Sequence, residues 1–338
     1  MSDASRASNP FDLRALIGRH AGQTRTEGVW IALVLLILFA TLRYDNFLSE
    51  YNIMSFLSYN SMFVLIAIGM CFVIMTGGID LSVGSVAAFS SVVAALLSEY
   101  GLVVALPGGI AAGLLLGAVN AFVIVKMKIV PFIATLSTML AARGLSLVLA
   151  NNQSVAVSWE TDFTQLGMGK AMGVLPWPIL ITGVVFLASW FLLEKTSFGR
   201  TVLAIGGGEE ASRLMGLRVD RTVAGTYLLS GALAGLAGVF LASGFGAGQP
   251  LEGLGWELSA IASVVVGGTL LTGGLGSIPA TLAGALLLGL IFNILNFENG
   301  KGTISLSAYW QSVIRGAFLL IVILLQAQSA RFVRRRAS

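Results

Sequence analysis

The sequence predicts an all-α polytopic membrane protein with about ten transmembrane helices. Apolar residues make up 56% of its 338 positions and charged residues only 11%, whereas about a quarter of the residues are charged in an ordinary soluble domain. Long segments such as 53–75 carry no charge at all. Because backbone groups in hydrocarbon must satisfy one another, we expect helices to be the only regular structure.

Ten apolar segments are candidate spans, since about 20 helical residues cross the roughly 30 Å of hydrocarbon in a bilayer. The first is the shortest and is flanked by Trp30 and Tyr44, which suit the membrane interfaces. The third and the eighth are candidates for broken or partial spans. In chain order the segments are 29–42, 53–75, 82–98, 102–125, 131–150, 174–193, 223–243, 257–272, 278–296 and 307–327.

The distribution of basic residues predicts the orientation of these spans. With the N-terminus in the cytoplasm, most of the 20 Lys and Arg residues fall in inside segments, as the positive-inside rule requires. The C-terminus is then cytoplasmic too. The chain divides into a polar tail (1–27), a transmembrane domain (28–328) with a large cytoplasmic loop (194–222), and a basic tail (329–338). Topology thus explains the excess of basic residues, and we expect a lipid bilayer and no nucleic acid as partner.

A helix break lies between the second and third segments, at 76–80, where two glycines precede Asp80. Broken helices and lone carboxylates are unfavourable in hydrocarbon, so their presence makes a transporter the first hypothesis. Two roles for Asp80 stay open. It is either a cap for a helix that starts at Leu81, with Ser82 assisting, or a residue that lines the transport path or contacts the cytoplasmic coupling region.

Several classes of protein are disfavoured by what the sequence lacks. The only histidine, His20, lies in the N-terminal tail, and the only cysteine, Cys71, lies inside an apolar segment. We therefore expect no disulfide framework, no metal site and no intramembrane enzyme. No Gly-x-x-x-x-Gly-Lys-Ser/Thr motif is present, so ATP-driven transport requires a separate ATPase chain, and we expect no cofactor in this one.

Glycine is abundant, with 41 residues, and small residues recur four positions apart in three segments. These steps are Gly109/Gly113/Gly117, Gly231/Gly235 and Ala280/Gly284. Such spacing lets membrane helices approach one another closely. Thr-Gly-Gly also occurs twice, at 76–78 and 272–274, and internal similarity of this kind is common in transporters.

The loop 194–222 contains a predicted short helix on glycine hinges at 206–208. Glu209 and Glu210 suit a helix N-terminus, where negative charge is stabilised, and Gly216 suits the left-handed position that ends a helix. The helix would present Leu214 and Met215 as an apolar contact. We interpret it as a docking element for a cytoplasmic partner, and a solvated connector is the alternative.

These residues resemble the permease subunits of bacterial ABC sugar importers of the ribose, xylose and galactofuranose type. The similarity covers most of 53–326, and its motifs are 76–85, 131–139 with 143–145, 199–216 and 257–274. It implies a type II-like ABC importer permease architecture in the bacterial inner membrane. It also implies a second permease subunit, identical or paralogous, ABC ATPase subunits that bind ATP and magnesium, and a periplasmic sugar-binding protein. The late residues 296–297 and 307–310 look most similar to a galactofuranose-type permease.

The resemblance also implies which residues contact the ATPase. The expected coupling residues are Gly199, Arg200, Glu209, Glu210, Ala211 and Gly216. Two residues depart from the family pattern, because Gly208 stands where a polar residue such as Asn is usual and Ser137 stands where Gly is common. The first departure affects capping of the coupling helix. The second alters helix packing or adds a hydroxyl to the path.

An uncharged sugar needs weak polar contacts along its path rather than a deep site. The candidate path residues are Asn60, Thr76, Asp80, Ser82, Asn120, Phe132, Thr135 and Thr138. For each Ser and Thr, a hydrogen bond to its own helix is the alternative. One rival function is an ion-coupled secondary transporter that uses Asp80, and a second is a passive channel. Both leave the loop 194–222 without a role.

Two arginines lie within predicted spans, where a charge is costly and needs a partner in protein or water. Arg143 lies nearer the outer end of its span, within reach of the interface. Arg315 is expected to be buried between helices.

Overall fold

The computed structural model describes residues 13–300 and six later helical positions, 310, 313, 314, 316, 317 and 320. Residues 13–300 form twelve helices and four short strands. The helices are α1 Leu13–Arg43, α2 Glu50–Met75, α3 Val83–Leu97, α4 Leu102–Val125, α5 Pro131–Leu149, α6 Gln165–Met168, α7 Trp177–Lys195, α8 Ser197–Gly207, α9 Glu209–Leu214, α10 Val219–Phe245, α11 Trp256–Val266 and α12 Ile278–Gly300. The strands are β1 Val155–Ala156, β2 Lys170–Ala171, β3 Leu175–Pro176 and β4 Ala247–Gly248.

Nine of the ten predicted segments correspond to apolar helices. Seven helices in the described part of the chain are long and apolar enough to cross a membrane, namely α2, α3 with the 3-10 turn after it, α4, α5, α7, α10 and α12. Two shorter apolar helices, Gly28–Arg43 within α1 and α11, match the first and eighth segments. The tenth segment lies mostly outside the described residues, so the count of ten spans stays a prediction.

α2 is the central helix of the fold. Every residue from Val64 to Met75 is buried, and α10, α12, α11 and α7 pack around it. A helix that is apolar on all sides requires such surroundings. By contrast α4, α5 and α7 expose large apolar side chains, such as Leu115, Leu140 and Leu187, and these are the faces that lipid would cover.

The predicted small-residue steps are confirmed as close helix contacts. A Cβ on Gly113 of α4 would collide with backbone atoms of Gly231 and Gly235 on α10. A Cβ on Gly284 of α12 would likewise meet the backbone of Ser263 on α11. The small residues therefore allow backbone-to-backbone packing, which supplies the dispersion contacts on which membrane helix association depends.

Some predicted boundaries shift in the structure. α10 begins at Val219, four residues before the predicted span, and α7 begins at Trp177, after Pro176. α11 ends at Val266, so the eighth predicted segment is a short helix followed by turns. Proline is well placed beside the first turn of a helix, where its missing N–H is not needed, and this accounts for the later start of α7.

Short strands join the connections at one end of the helices, so the expectation that helices are the only regular structure is wrong. β1 pairs with β4 and β2 pairs with β3, both antiparallel. At the same end, Leu102 N–H donates to Asp162 over 2.8 Å and Lys170 lies 3.7 Å from Glu50. The strands form here because these connections lie between spans and must pair their own backbone groups.

Candidate coupling and transport site

The loop after α7 folds into two helices. The Thr196 hydroxyl accepts a hydrogen bond from Gly199 N–H over 3.3 Å and caps α8. Gly199 lies so close to the backbone of Leu193 that a Cβ there would collide with it. The sequence predicted only the second helix, α9, and the expectation of a glycine hinge is wrong in part. Gly206 and Gly207 are helical, and the break falls at Gly208, the only one of the three outside a helix.

Gly206 joins α8 to two other segments of the chain. A Cβ on Gly206 would collide with the carbonyl oxygen of Met75, at the end of α2, and with the N–H of Gly274. That N–H itself donates to the Met75 carbonyl over 3.0 Å. A Cβ on Gly273 would lie 2.8 Å from the nitrogen of Gly77, so the two Thr-Gly-Gly segments meet here. We name Gly77, Gly206, Gly273 and Gly274 the glycine junction.

α9 presents the predicted contact surface. Leu214 is 85% exposed and Met215 is 67% exposed. Gly216 has a φ of 79°, which confirms the left-handed end of this helix. Gly208 precedes the helix and provides no side-chain cap, which is the consequence expected of its departure from the family pattern. Of the expected coupling residues, Gly199 is buried, whereas Arg200, Glu209, Glu210, Ala211 and Gly216 are exposed.

An ion-pair network ties α9 to its neighbours. Arg213 pairs with Glu209 over 2.9 Å and with Asp220 at the start of α10, and Asp220 also pairs with Lys128 over 3.3 Å. The hydrogen bond to Asp220, followed by that to Glu209, raises the pKa of Arg213 further above its ordinary value. Exposed pairs contribute little to stability, but these ones link α9 to the start of α10 and to Lys128. Together with Tyr227 these groups line a cavity of about 230 Å³.

Asp80 lies at the centre of a buried network and is only 1% exposed. Its Oδ1 accepts hydrogen bonds from the Ser82 N–H (3.0 Å) and the Ser82 hydroxyl (2.6 Å), and its Oδ2 accepts one from the Ser230 hydroxyl of α10 (2.8 Å). The predicted helix start at Leu81 is wrong, since α3 begins at Val83 and the carboxylate holds the turn before it. Three donors satisfy the carboxylate, which favours the structural role.

Asn120 and Thr135 extend this network. The Asn120 amide donates to the Ser82 hydroxyl over 2.9 Å, and the Thr135 hydroxyl accepts from the Leu81 N–H over 3.2 Å. The structure thus brings together half of the predicted path residues, around Asp80. The Asn120 Oδ1 atom and the Tyr227 hydroxyl are buried without a hydrogen-bond partner in the part of the chain that the structure describes.

The other predicted path residues lie apart from that network. The Thr76 hydroxyl donates to a carbonyl of its own helix over 2.7 Å. This bond is the alternative to a path contact that the sequence leaves open for each Ser and Thr. Phe132 is 52% exposed on α5, and Thr138 is buried on the same helix. Asn60 is buried on α2, where it lines a different cavity.

Arg143 has the protein partner that its position requires. Its Nη1 atom donates to the carbonyls of Pro250 and Glu252, over 2.6 Å in each case. The Ser137 hydroxyl donates to a carbonyl of its own helix over 2.9 Å, so it is engaged within α5. Arg315 lies outside the described residues, and its burial stays a prediction.

A cavity of about 290 Å³ lies between α2, α11 and α12. Its lining combines amide, hydroxyl and aromatic groups with a few small residues. The lining residues are Asn52, Ser55, Phe56, Tyr59, Asn60, Phe63, Ser259, Ser263, Ala285, Leu288, Gly289, Phe292, Asn293 and Asn296. Asn60 is the only one of them that the sequence predicts as a path residue. The signal is a set of asparagines within apolar segments, but Asn52 and Asn293 are separated by 241 positions in the sequence, so nothing local shows that they meet.

The described residues offer no group of three or more His, Cys, Asp or Glu side chains arranged to hold a metal ion. Glu209 pairs with Arg213, and Asp220 pairs with both Arg213 and Lys128.

Comparison with known proteins connects these features to transport. Residues 52–323 match the family described as "Branched-chain amino acid transport system / permease component". The ribose import permease protein RbsC of Escherichia coli (strain K12) is 39% identical over 299 residues, which are 87% of this chain and 91% of that protein. RbsC of Bacillus subtilis (strain 168) is 40% identical over 312 residues, 91% of this chain and 95% of that one. The L-arabinose ABC transporter permease protein AraH of Azospirillum brasilense is 38% identical over 308 residues, 88% of each chain.

Proposed function

Because the chain belongs to the permease-component family of the branched-chain amino acid transport system type, we propose that it is the membrane-spanning subunit of an ABC importer for a monosaccharide. It is a transport component of the inner membrane and not an enzyme. Relatives named as ribose and L-arabinose permeases match it over most of their length, which supports a sugar as substrate. A galactofuranose substrate is a finer proposal, supported by residues 296–297 and 307–310 alone.

We place both termini in the cytoplasm, with about ten spans in a type II-like architecture. The connections that basic residues assign to the inside meet at one end of the structure, where Gly274 N–H bonds to the Met75 carbonyl and Lys128 pairs with Asp220. The connections assigned to the outside meet elsewhere, where β1 pairs with β4. This segregation is what alternating spans require. On this proposal the chain divides into a cytoplasmic tail 1–27, a transmembrane domain 28–328 and a basic tail 329–338.

The coupling step in this proposal runs from the ATPase through α8 and α9. The exposed Leu214 and Met215 enter a groove of the ATPase, which binds ATP and magnesium. Movement of α8 passes through the glycine junction to the end of α2 and to the turn before α12. Because the contacts of Gly206 with Met75 and Gly274 are backbone contacts, no flexible side chain absorbs the displacement.

The remaining partners follow from the same proposal. A second permease subunit, identical or paralogous, completes the pathway, and a periplasmic binding protein delivers and selects the sugar at the outer face. Asn60, Thr76, Phe132 and Thr138 lie along or beside the path. The network of Asp80, Ser82, Asn120 and Thr135 holds the helix break in shape, which supports a positioning role for these four residues.

The proposal depends most on one observation: in a chain of this family, α8 and α9 pack against the ends of the central helices. The test is a gentle-detergent purification of the tagged chain from its native membrane, with mass spectrometry of what co-purifies. A stoichiometric P-loop ATPase is expected, and a second permease-like chain would identify a heterodimer. Absence of any ATPase, while other membrane complexes stay intact, would contradict the proposal.

A further inference from the structure

We propose that the cavity between α2, α11 and α12, here named the amide cavity, is the site through which the sugar passes in the outer half of the membrane. This inference rests on the proposed function and adds a location to it. The cavity holds about 290 Å³, close to the lower limit of about 300 Å³ for small-ligand pockets. Its size therefore suits a monosaccharide rather than a larger solute.

The amide cavity lies at the end of α2 opposite the coupling helices. Its lining on this helix runs from Asn52 to Phe63, a rise of about 16 Å. The glycine junction meets α2 at Met75, about 18 Å further along the helix. From Val64 to Met75 the helix is buried on every side. A sugar released at the outer face would therefore reach this cavity before the closed inner half.

Two amides in the wall of the cavity are hydrogen-bonded to each other, and Asn52 Nδ2 also donates to the Phe47 carbonyl over 2.8 Å. Asn293 Nδ2 donates to Asn52 Oδ1 over 3.1 Å, and Asn52 Nδ2 lies 3.5 Å from Asn293 Oδ1. Ser55 and Tyr59 follow Asn52 on the same face of α2, and both are exposed. A polar stripe on a membrane helix is unfavourable against lipid, whereas it suits a water-filled path. The reciprocal amide pair can also open to offer donors and acceptors to hydroxyl groups.

Gly289 makes room for a further amide. A Cβ at this position would overlap the Oδ1 atom of Asn60, so only glycine lets that amide lie against α12. Asn60 Nδ2 donates to the Phe56 carbonyl over 2.8 Å, which fixes the side chain and keeps its oxygen as an acceptor. The two helices are thus shaped around a buried amide within the wall of the cavity.

The described part of the wall is uncharged, and this favours one class of solute. None of the described residues that line the amide cavity is Asp, Glu, Lys, Arg or His. A zwitterionic amino acid would bury its ammonium and carboxylate there without a counter-ion, which is costly. Sugar hydroxyls need only amides, hydroxyls and aromatic faces. The described lining therefore suits an uncharged sugar better than the amino acids in the family's description.

The first test uses the whole transporter in proteoliposomes, with ribose, L-arabinose and leucine as probes. Asn293→Ala and Asn296→Ala are each expected to lower sugar uptake about fivefold to tenfold, since each removes an amide hydrogen bond to the sugar. Hydrolysis of ATP stimulated by the binding protein should persist, because α8 and α9 are untouched. Thr41→Ala is the control, since it also removes a polar group from an apolar helix but lies on α1, where its hydroxyl donates to the Ile37 carbonyl over 2.8 Å, and it should transport normally.

A second test measures occupancy directly. The native Cys71 is fully buried, so an Asn296→Cys variant supplies one accessible thiol at the cavity. A charged thiol reagent should modify this cysteine at least about fivefold more slowly with sugar-loaded binding protein than with sugar-free binding protein. Protection of this size is expected when the sugar occupies most of the sites. Ser154→Cys, in an exposed outer connection, reports shielding by the binding protein itself and should react at the same rate in both conditions.

The outcomes separate this inference from the function on which it rests. Normal sugar uptake by both alanine variants, with sugar-independent labelling of Asn296→Cys, would overturn the amide cavity while the importer function stands. A wild-type complex that imports leucine and neither sugar would overturn both. Reduced uptake and slowed labelling at Asn296→Cys, with both controls unaffected, is the result that the inference predicts.

Discussion

Gly206 is the position where the mechanical role of α8 is most open to test. The Gly206→Ala variant places a methyl group where the Met75 carbonyl oxygen and the Gly274 N–H lie. These two backbone groups are joined by a hydrogen bond of 3.0 Å, so neither can move aside without breaking it. We therefore expect α8 to shift away from the end of α2.

The size of the effect follows from two opposing terms. Overpacking of this kind costs about 1–3 kcal/mol, and alanine returns up to about 1 kcal/mol through its higher helix propensity. Mid-range values of about 2 and about 0.5 kcal/mol leave a net loss of about 1.5 kcal/mol, a factor of about 10 in the balance between seated and displaced α8.

Gly207→Ala is a matched control, because it lies next in the same helix and its Cβ would meet nothing within 4 Å. Both variants are compared in proteoliposomes for sugar uptake and for ATP hydrolysis with and without the binding protein. Gly206→Ala should retain ATPase co-purification and basal hydrolysis but lose most uptake and stimulation. Gly207→Ala should transport as the wild type does. Equal transport by the two variants would refute transmission through the glycine junction.

Three further substitutions give distinct expectations. Asp80→Asn should transport almost normally, since the amide can accept from Ser82 and donate to Ser230, whereas Asp80→Ala should lower thermal stability in detergent by about 1–3 kcal/mol. Normal stability of Asp80→Ala would contradict the positioning role. Leu214→Ser should abolish ATPase co-purification without changing thermal unfolding, because the side chain is 85% exposed. Arg143→Ala should lower stability by about 1–2 kcal/mol by leaving two carbonyls without their donor, and an unchanged unfolding temperature would contradict this.

Local sequence signals predicted those parts of the structure that depend on local chemistry. The helix break at 76–80, the close contacts of Gly113 and Gly284, and the left-handed Gly216 are confirmed. Each depends on a backbone property of glycine that is visible in a few consecutive residues or a fixed helical spacing.

The remaining features depend on contacts between distant segments. The glycine junction was present in the sequence only as two similar Thr-Gly-Gly steps, and nothing local indicated that Gly206 would meet both. The sequence does not predict the amide cavity for the same reason, because Asn52 and Asn293 are each an isolated polar residue in their own segment. Nothing in the sequence of the connections indicates the short strands, although their backbone groups also need partners.

The helix start after Asp80 shows a third kind of limit. An aspartate before an apolar run predicts a cap, but Ser82 engages the carboxylate with both its N–H and its hydroxyl. The bond to the Ser82 N–H is the one that a helix cap makes, yet α3 begins at Val83, with Ser82 before its first residue. The spacing of Asp80 and Ser82 therefore does not by itself reveal at which residue the helix begins.

The energy source of transport tests the central claim most directly. Proteoliposomes that contain the whole complex receive labelled ribose or L-arabinose on the side where the binding protein is added. Uptake to the opposite side, where the ATPase lies, is measured with ATP present or depleted there. A protonophore and a sodium-free buffer are applied in parallel. An ABC importer permease predicts uptake that stops without ATP and persists when the ion gradients collapse. Uptake that survives ATP depletion but stops with the proton or sodium gradient would contradict it and would support ion coupling through Asp80.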